Sequence, residues 1–230
     1  MMALRRRRRF TTGAVVVAIV ALTALLPTEV ARGHVPALES RAATGAATPV
    51  GGPDISRALY GYLAPGEGQD TYTFTVAEPV TTTVAILVPA LAEHVGFNPT
   101  AIITAEEGPP VVLTTPLDGA AEWEPFSLTS FRTTAEEEVT FEPGRRYVLR
   151  VEPTNGSRSG RYVLVFGGAE RFTGPDTLRT LRDLPVIWFG AYGGAPFSMN
   201  WWALIPVGIM AGLVVAAGWL IVRAVRSARR

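Results

Sequence analysis

The chain has 230 residues, 48% of them hydrophobic, with 23 Gly and 18 Pro, a composition of turn-rich β structure rather than of a helical bundle. It has no cysteine, which excludes disulfides, thiolate metal sites and cysteine nucleophiles, and its basic residues are all arginine. The net charge of +1 conceals a segregation: residues 34–222 hold 11 arginines against 19 acidic residues, so the central region lacks the clustered basic side chains that phosphate neutralisation requires, and nucleic acid is excluded as a partner.

Residues 1–33 read as a secretory signal peptide. Arg5 to Arg9 form the basic region, Gly13 to Leu26 the apolar run, and Pro27 the break before a short polar stretch. Fourteen apolar or small residues fall short of the roughly 20 that span a bilayer core. Ala31-Arg32-Gly33 is the best cleavage site and places the cut before His34. An uncleaved N-terminal anchor is the alternative. Arg7-Arg8-Arg9-Phe10 also fits the core of a twin-arginine signal, although any five-arginine run before a phenylalanine would, so general secretory and twin-arginine export both stay open.

Residues 34–54 lack periodicity and are expected to form an extended N-terminal segment. Residues 55–168 are β. "ALYGYL", "DTYTFTV", "TTTVAILV", "AIIT", "VVLTT", "EEVTF", "RYVLRVEP" and "GRYVLVFG" follow one another, several of them alternating apolar and polar side chains. Turn signals at Gly108-Pro109, Asp118-Gly119, Pro143-Gly144 and Asn155-Gly156 separate many of them. Seven or eight short strands so spaced predict an all-β fold, an antiparallel β-sandwich or jelly roll. The juxtamembrane segment 169–200 holds an amphipathic helix candidate (Leu178, Leu181, Leu184), then Trp188, Phe189 and Tyr192, which lie either at the lipid headgroups or under the β domain.

Trp201 to Val222 are 22 uncharged residues, enough for a tilted transmembrane helix. Trp201, Trp202 and Trp219 suit the two interfacial belts, and the basic tail 223–230, with Arg223, Arg226, Arg229 and Arg230, marks the cytoplasmic side. The expectation is a single-pass plasma-membrane protein, its N-terminal domain extracellular or periplasmic and its C-terminus cytoplasmic. Gly208, Gly212 and Ala216 repeat at four-residue spacing and could form a homodimer face, although small residues are common in spanning helices.

Two resemblances follow from these residues. "GEGQDTYTFTV" and "PGRRYVLRVEPTNGSRSGRYVLVFG" resemble the opening and close of the bacterial pre-peptidase C-terminal type of domain, which implies a secreted, non-catalytic β-sandwich attached to other proteins. His34-Val35-Pro36, Gly96-Phe97-Asn98-Pro99, Glu124-Pro125-Phe126 and Glu170-Arg171-Phe172-Thr173 resemble the signposts of a poorly characterised family of exported proteins. That family has a His-x-Pro mature start, one β domain and a C-terminal span. It brings no activity with it and no counterpart of His94.

Chemistry-bearing residues are few. With two histidines and no nucleophile turn after His94, a catalytic triad has no basis. Glu106-Glu107 and Glu136-Glu137-Glu138 read as solvated charges, with neither calcium-loop spacing nor an identifiable catalytic cleft. The expectation is therefore no enzyme and no resident cofactor, but a binding or scaffolding module at the cell surface with an unidentified protein partner. Glu122 to Phe126 and the juxtamembrane aromatics are the candidate docking surface, against the plainer reading of these aromatics as core. The alternative function is copper binding. A mature His34 offers its amine and ring Nδ1, and His94 a third nitrogen, a set that suits Cu(II). Lytic polysaccharide monooxygenases and periplasmic copper carriers use such a start on such a fold, which is analogy only. Against it, His34 begins a loose segment, His94 falls in a surface loop, and two histidines this far apart carry no spacing signature.

Overall fold

A computed structural model describes residues 34–38, 47–66, 68–114, 120–133, 136–154, 159–167, 173–198 and 200–228. Residues 1–33, where a signal peptide is expected, Asp118-Gly119, Asn155-Gly156, Glu170 to Phe172 and the last two arginines lie outside the described residues. The fold is predominantly β, with one apolar helix at its C-terminal end.

The strands are β1 (Val35–Leu38), β2 (Thr48–Pro49), β3 (Arg57–Leu63), β4 (Asp70–Thr75), β5 (Val80–Pro89), β6 (Pro99–Ala105), β7 (Val111–Thr114), β8 (Ala121–Glu124), β9 (Thr129–Thr133), β10 (Glu137–Phe141), β11 (Arg146–Pro153) and β12 (Gly160–Phe166). The larger sheet runs β1-β3-β12-β5-β9-β8, and β10 also pairs with β5; the smaller runs β2-β4-β11-β6-β7. Ten-residue β5 holds two partners end to end along one edge, β10 opposite Val80–Val84 and β9 opposite Leu87–Pro89.

Alternation in the sequence becomes a core shared by both sheets. Tyr72 and Phe74 from β4, and Tyr147, Leu149 and Val151 from β11, meet Tyr162, Leu164 and Phe166 from β12. Phe74 stacks on Tyr147 and on Phe166, and Phe141 closes edge-on against it. One polar link crosses this core: the Tyr162 hydroxyl donates to Asp70 Oδ2 at 2.7 Å and lies 2.6 Å from the Tyr72 hydroxyl. Gly61, paired with Tyr162 on the neighbouring strand, leaves room for that phenol ring, because a Cβ there would strike it.

The larger sheet is covered on its outer face too. Ala58, Tyr60, Val163 and Phe131 pack there with Ile187 and Tyr192 from the segment after the strands. This explains why β3 and β12 are buried almost without interruption, and it places the juxtamembrane aromatics. Trp188 and Tyr192 lie in the interior, 9% and 4% exposed.

Four sequence expectations change. The strands are not all antiparallel: β1 pairs parallel with β3, and β2 parallel with β4. Of the 34–54 segment, Val35–Leu38 and Thr48–Pro49 are these two strands, and each lies at an edge of its sheet. β8 and β9 form a hairpin (Trp123 opposite Ser130) absent from the sequence expectations; β8 is largely exposed, and β9 buries only Phe131. Helix α1 (Gly174–Trp188) starts at a Thr173–Asp176 capping box, as its sequence favours, but the expected leucine face points outward. Leu178 and Leu181 are exposed while Thr180, Asp183, Ile187 and Trp188 are buried.

The described residues fall into two units, the β unit ending at Ala203 and helix α2 (Leu204–Ala228). Trp201–Leu220 has a mean hydropathy of 2.1 and is, among the described residues, one helix long and apolar enough to cross a membrane. Arg223 lies 5.1 Å from the Trp219 ring near its C-terminal end, a cation–π arrangement suited to an interface.

Candidate functional site

The structure separates the two histidines. The Val35 amide donates to Ser56 O at 2.9 Å and His34 Nδ1 contacts the Ser56 hydroxyl, so His34 sits at the Arg57 end of β3. His94 closes a 3₁₀ turn, Ala92–His94, and lies against Gly160, where a Cβ would come within 2.9 Å of its ring. Gly160 pairs with Leu63, at the other end of β3. From Ser56 to Leu63 is about 23 Å at the usual ~3.3 Å per strand residue. No common metal ion can be held across that span, so the pair does not fit the copper site the sequence suggested.

His94 is also not a surface residue. It is 2% exposed, packs edge-on against Phe97, and its Nδ1 has no hydrogen-bond partner. Burial, and next the Arg161 guanidinium, lower its pKa to about 4, so the ring is neutral near pH 7. Glu106, Glu107, Glu136, Glu137 and Glu138 are exposed, in keeping with solvated charges. Among the described residues no group of three or more His, Asp or Glu side chains could hold a metal ion.

What the β unit does build is a cleft of about 310 Å³ near its last residues. Tyr60, Phe131, Trp188 and Tyr192 contribute aromatic walls, and Trp123 and Trp202 line it as well. Tyr60 and Tyr192 meet edge-to-face at 5.2 Å, and burial raises both phenol pKa values, keeping them protonated.

One turn shapes this cleft. Both oxygens of Glu124 accept backbone bonds, from Phe126 N at 2.8 Å and Ser127 N at 2.7 Å. Leu128 follows in the left-handed region, φ 55°, strained for a branched side chain. The Ser127 hydroxyl is buried with no hydrogen-bond partner in a residue lining the cleft.

The chain after α1 is fastened to this turn and to β12. Trp188 Nε1 donates to Phe126 O at 2.8 Å, and Asn200 Nδ2 to Leu128 O at 3.0 Å. Arg161, 3% exposed, donates through Nε to Gly190 O at 2.7 Å and through a terminal nitrogen to Pro196 O at 2.5 Å. Its other terminal nitrogen pairs with Glu93.

Of the sequence-flagged docking residues, Glu122 to Phe126 do border this cleft through Trp123, which is 51% exposed. Ser127, Leu128, Arg161 and Asn200 carried no signal of their own. The nearest hint was an acid before a proline, Glu124-Pro125, the composition of a tight turn.

No protein-family model matches the chain, and no curated protein matches it significantly. Among solved structures it is similar to the pre-peptidase C-terminal domain of a Bacillus anthracis collagenase, at 20% identity and TM-score 0.36, over 55% of this chain and 97% of that one. A Bacillus thuringiensis Cry1Da tryptic core variant matches at 14% identity and TM-score 0.31, over 54% of this chain and 25% of that one. A carbohydrate-binding module of the CBM35 type, from Cellvibrio japonicus Abf62, matches at 13% identity and TM-score 0.29, over 46% and 72%. At these scores the likenesses are remote, and no functional argument rests on them.

Proposed function

We propose that the chain is a non-enzymatic, membrane-tethered β-sandwich, exported to the outer face of the plasma membrane, where it binds or scaffolds another molecule. The observation that carries this reading is the cleft beside the start of the apolar segment. Its aromatic walls, strained Leu128 and unpartnered Ser127 hydroxyl are features of a recognition site rather than of a finished core. Export is supported by the signal-like 1–33, by the acidic balance of 34–222, and by Arg223 and Arg226 following the apolar stretch Trp201–Leu220.

The absence of cysteine from the chain makes the test direct. A membrane-impermeant maleimide should label Glu138→Cys, exposed on β10, in intact cells, and Ser227→Cys only after permeabilisation. The reverse pattern, or labelling of neither before lysis, would refute the orientation. For the cleft, Ser127→Val should change the ligand-free stability by less than ~1 kcal/mol, since the hydroxyl has no partner to lose. A larger loss would show that Ser127 is structural.

Gly208, Gly212 and Ala216 belong to the same reading as a dimer face. A Cβ on either glycine meets nothing within 4 Å. Crosslinking in membranes reads this, with Gly212→Leu expected to abolish the dimer and unchanged crosslinking sinking it.

A further inference from the structure

We propose that Trp123, far from the span in sequence, is a second membrane contact. With Trp202 it forms an aromatic ridge that enters the headgroup region and rests the β unit on the bilayer surface. The inference rests on the tethered reading above and extends it from a tether to a face.

Trp202 is two residues ahead of α2 and belongs to the apolar segment Trp201–Leu220. Covalent continuity therefore sets its depth: a tryptophan at the head of a span lies at the membrane–water interface. The Trp123 ring meets the Trp202 ring edge-on with centroids 6.4 Å apart. Both residues are more than half exposed, at 51% and 62%, an unusual amount of tryptophan surface to leave in water.

The pairing is held in place. The Asn200 carboxamide donates to Leu128 O at 3.0 Å and accepts from Trp202 N at 3.1 Å, tying the β8–β9 turn to the residue that starts the span. Whatever depth Trp202 takes, Trp123 takes within one ring diameter. Charge selects the kind of contact. Glu122 beside Trp123 is exposed and acidic, so the ridge is attracted to a lipid surface by its indoles and not by anionic headgroups. The contact should therefore survive about 1 M salt, where the Debye length is only ~3 Å.

Single nitroxide labels on the full chain in phosphatidylcholine vesicles test this, with accessibility to oxygen and to a water-soluble nickel chelate read by electron paramagnetic resonance. Labels go at Trp123→Cys, and at Ser130→Cys, across the ladder from Trp123, which keeps the ring. Leu213→Cys reports the span and Glu138→Cys the aqueous side. The expected result is an oxygen-to-nickel ratio at 123 and 130 several-fold above that at 138, below that at 213, and unchanged by salt. Ratios at 123 and 130 equal to that at 138, with 213 in lipid, overturn the proposal and leave the tether standing. Shielding of 123 and 130 from both reagents indicates a protein neighbour and overturns it also. A label at 213 as aqueous as that at 138 defeats the tether itself.

Discussion

Replacing Arg161 by methionine should free the chain that leads into the apolar helix α2. Methionine fills much of the same volume but donates nothing, so the carbonyls of Gly190 and Pro196 lose their shared donor. Hydrogen bonds from a charged group contribute ~1.5–3 kcal/mol each, so the two together contribute about 3 kcal/mol at the low end. The Glu93 pair adds little, because that carboxylate is 53% exposed and such pairs contribute ~0–1 kcal/mol. For a domain this size each kcal/mol moves Tm by roughly 2–4 °C. Arg161→Met should therefore lower Tm by about 6–12 °C in detergent, with new proteolytic cuts between 189 and 200, and Glu93→Gln by no more than about 4 °C. Equal shifts for the two variants would refute the assignment, since they would locate the stabilisation in the ion pair rather than in the two carbonyls. An unchanged cleavage pattern in Arg161→Met would refute the fastening itself.

Stability should also fall as the solution is acidified from pH 6.5 to 4. The buried His94 ring is neutral in the fold, with a pKa of about 4 against the ordinary 6.5. The unfolded chain therefore binds a proton earlier, and the fold loses about 3 kcal/mol across that window at ~1.4 kcal/mol per unit. His94→Gln should flatten this part of a Tm-against-pH curve; an unaltered slope would exclude His94 as its source. Gly61→Ala should cost about 1–3 kcal/mol by overpacking against the Tyr162 ring, which its hydrogen bonds hold in place; a change under ~0.5 kcal/mol in urea unfolding would contradict the packing. Thr173→Ala should remove the cap of α1 at about 1 kcal/mol and let the Asp176 carboxyl, held low chiefly by the Thr173 side chain, return toward its usual pKa. Hydrogen exchange in the first turn of α1 and NMR titration of Asp176 measure the two effects.

The parts of the fold that could be read from the sequence are those where one force dominates. β4, β11 and β12 alternate because one face meets the core, and their tyrosines and leucines fall where the alternation puts them. The apolar C-terminal helix is legible because twenty residues without charge have few other uses. The rest depends on what the chain meets in three dimensions. Leu178 and Leu181 gave the natural apolar face for α1, yet the helix buries Thr180 and Asp183, with Ile187 and Trp188 supplying its apolar packing. β1 and β2 are too short to show a period. The cleft escaped notice because its parts come from β3, the 124–129 turn, α1 and the residues before α2, and only folding brings Tyr60 to Tyr192. His94 misled in the opposite direction. A histidine in a loop reads as available, but this loop is tucked against Gly160 and Phe97.

The two parallel pairs have a consequence for how the domain is completed. β1 and β2 come first in the chain, yet each docks on a strand that follows it, and they occupy an edge of different sheets. A parallel partner cannot be reached by a simple hairpin, so this opening stretch waits for β3 and β4. The two strands then act as a seam, covering backbone groups at an edge of each layer. Anything that peels the seam away bares two sheet edges at once, each a template for pairing with another molecule. The two strands made before their partners are thus the ones whose late docking covers an edge of each sheet.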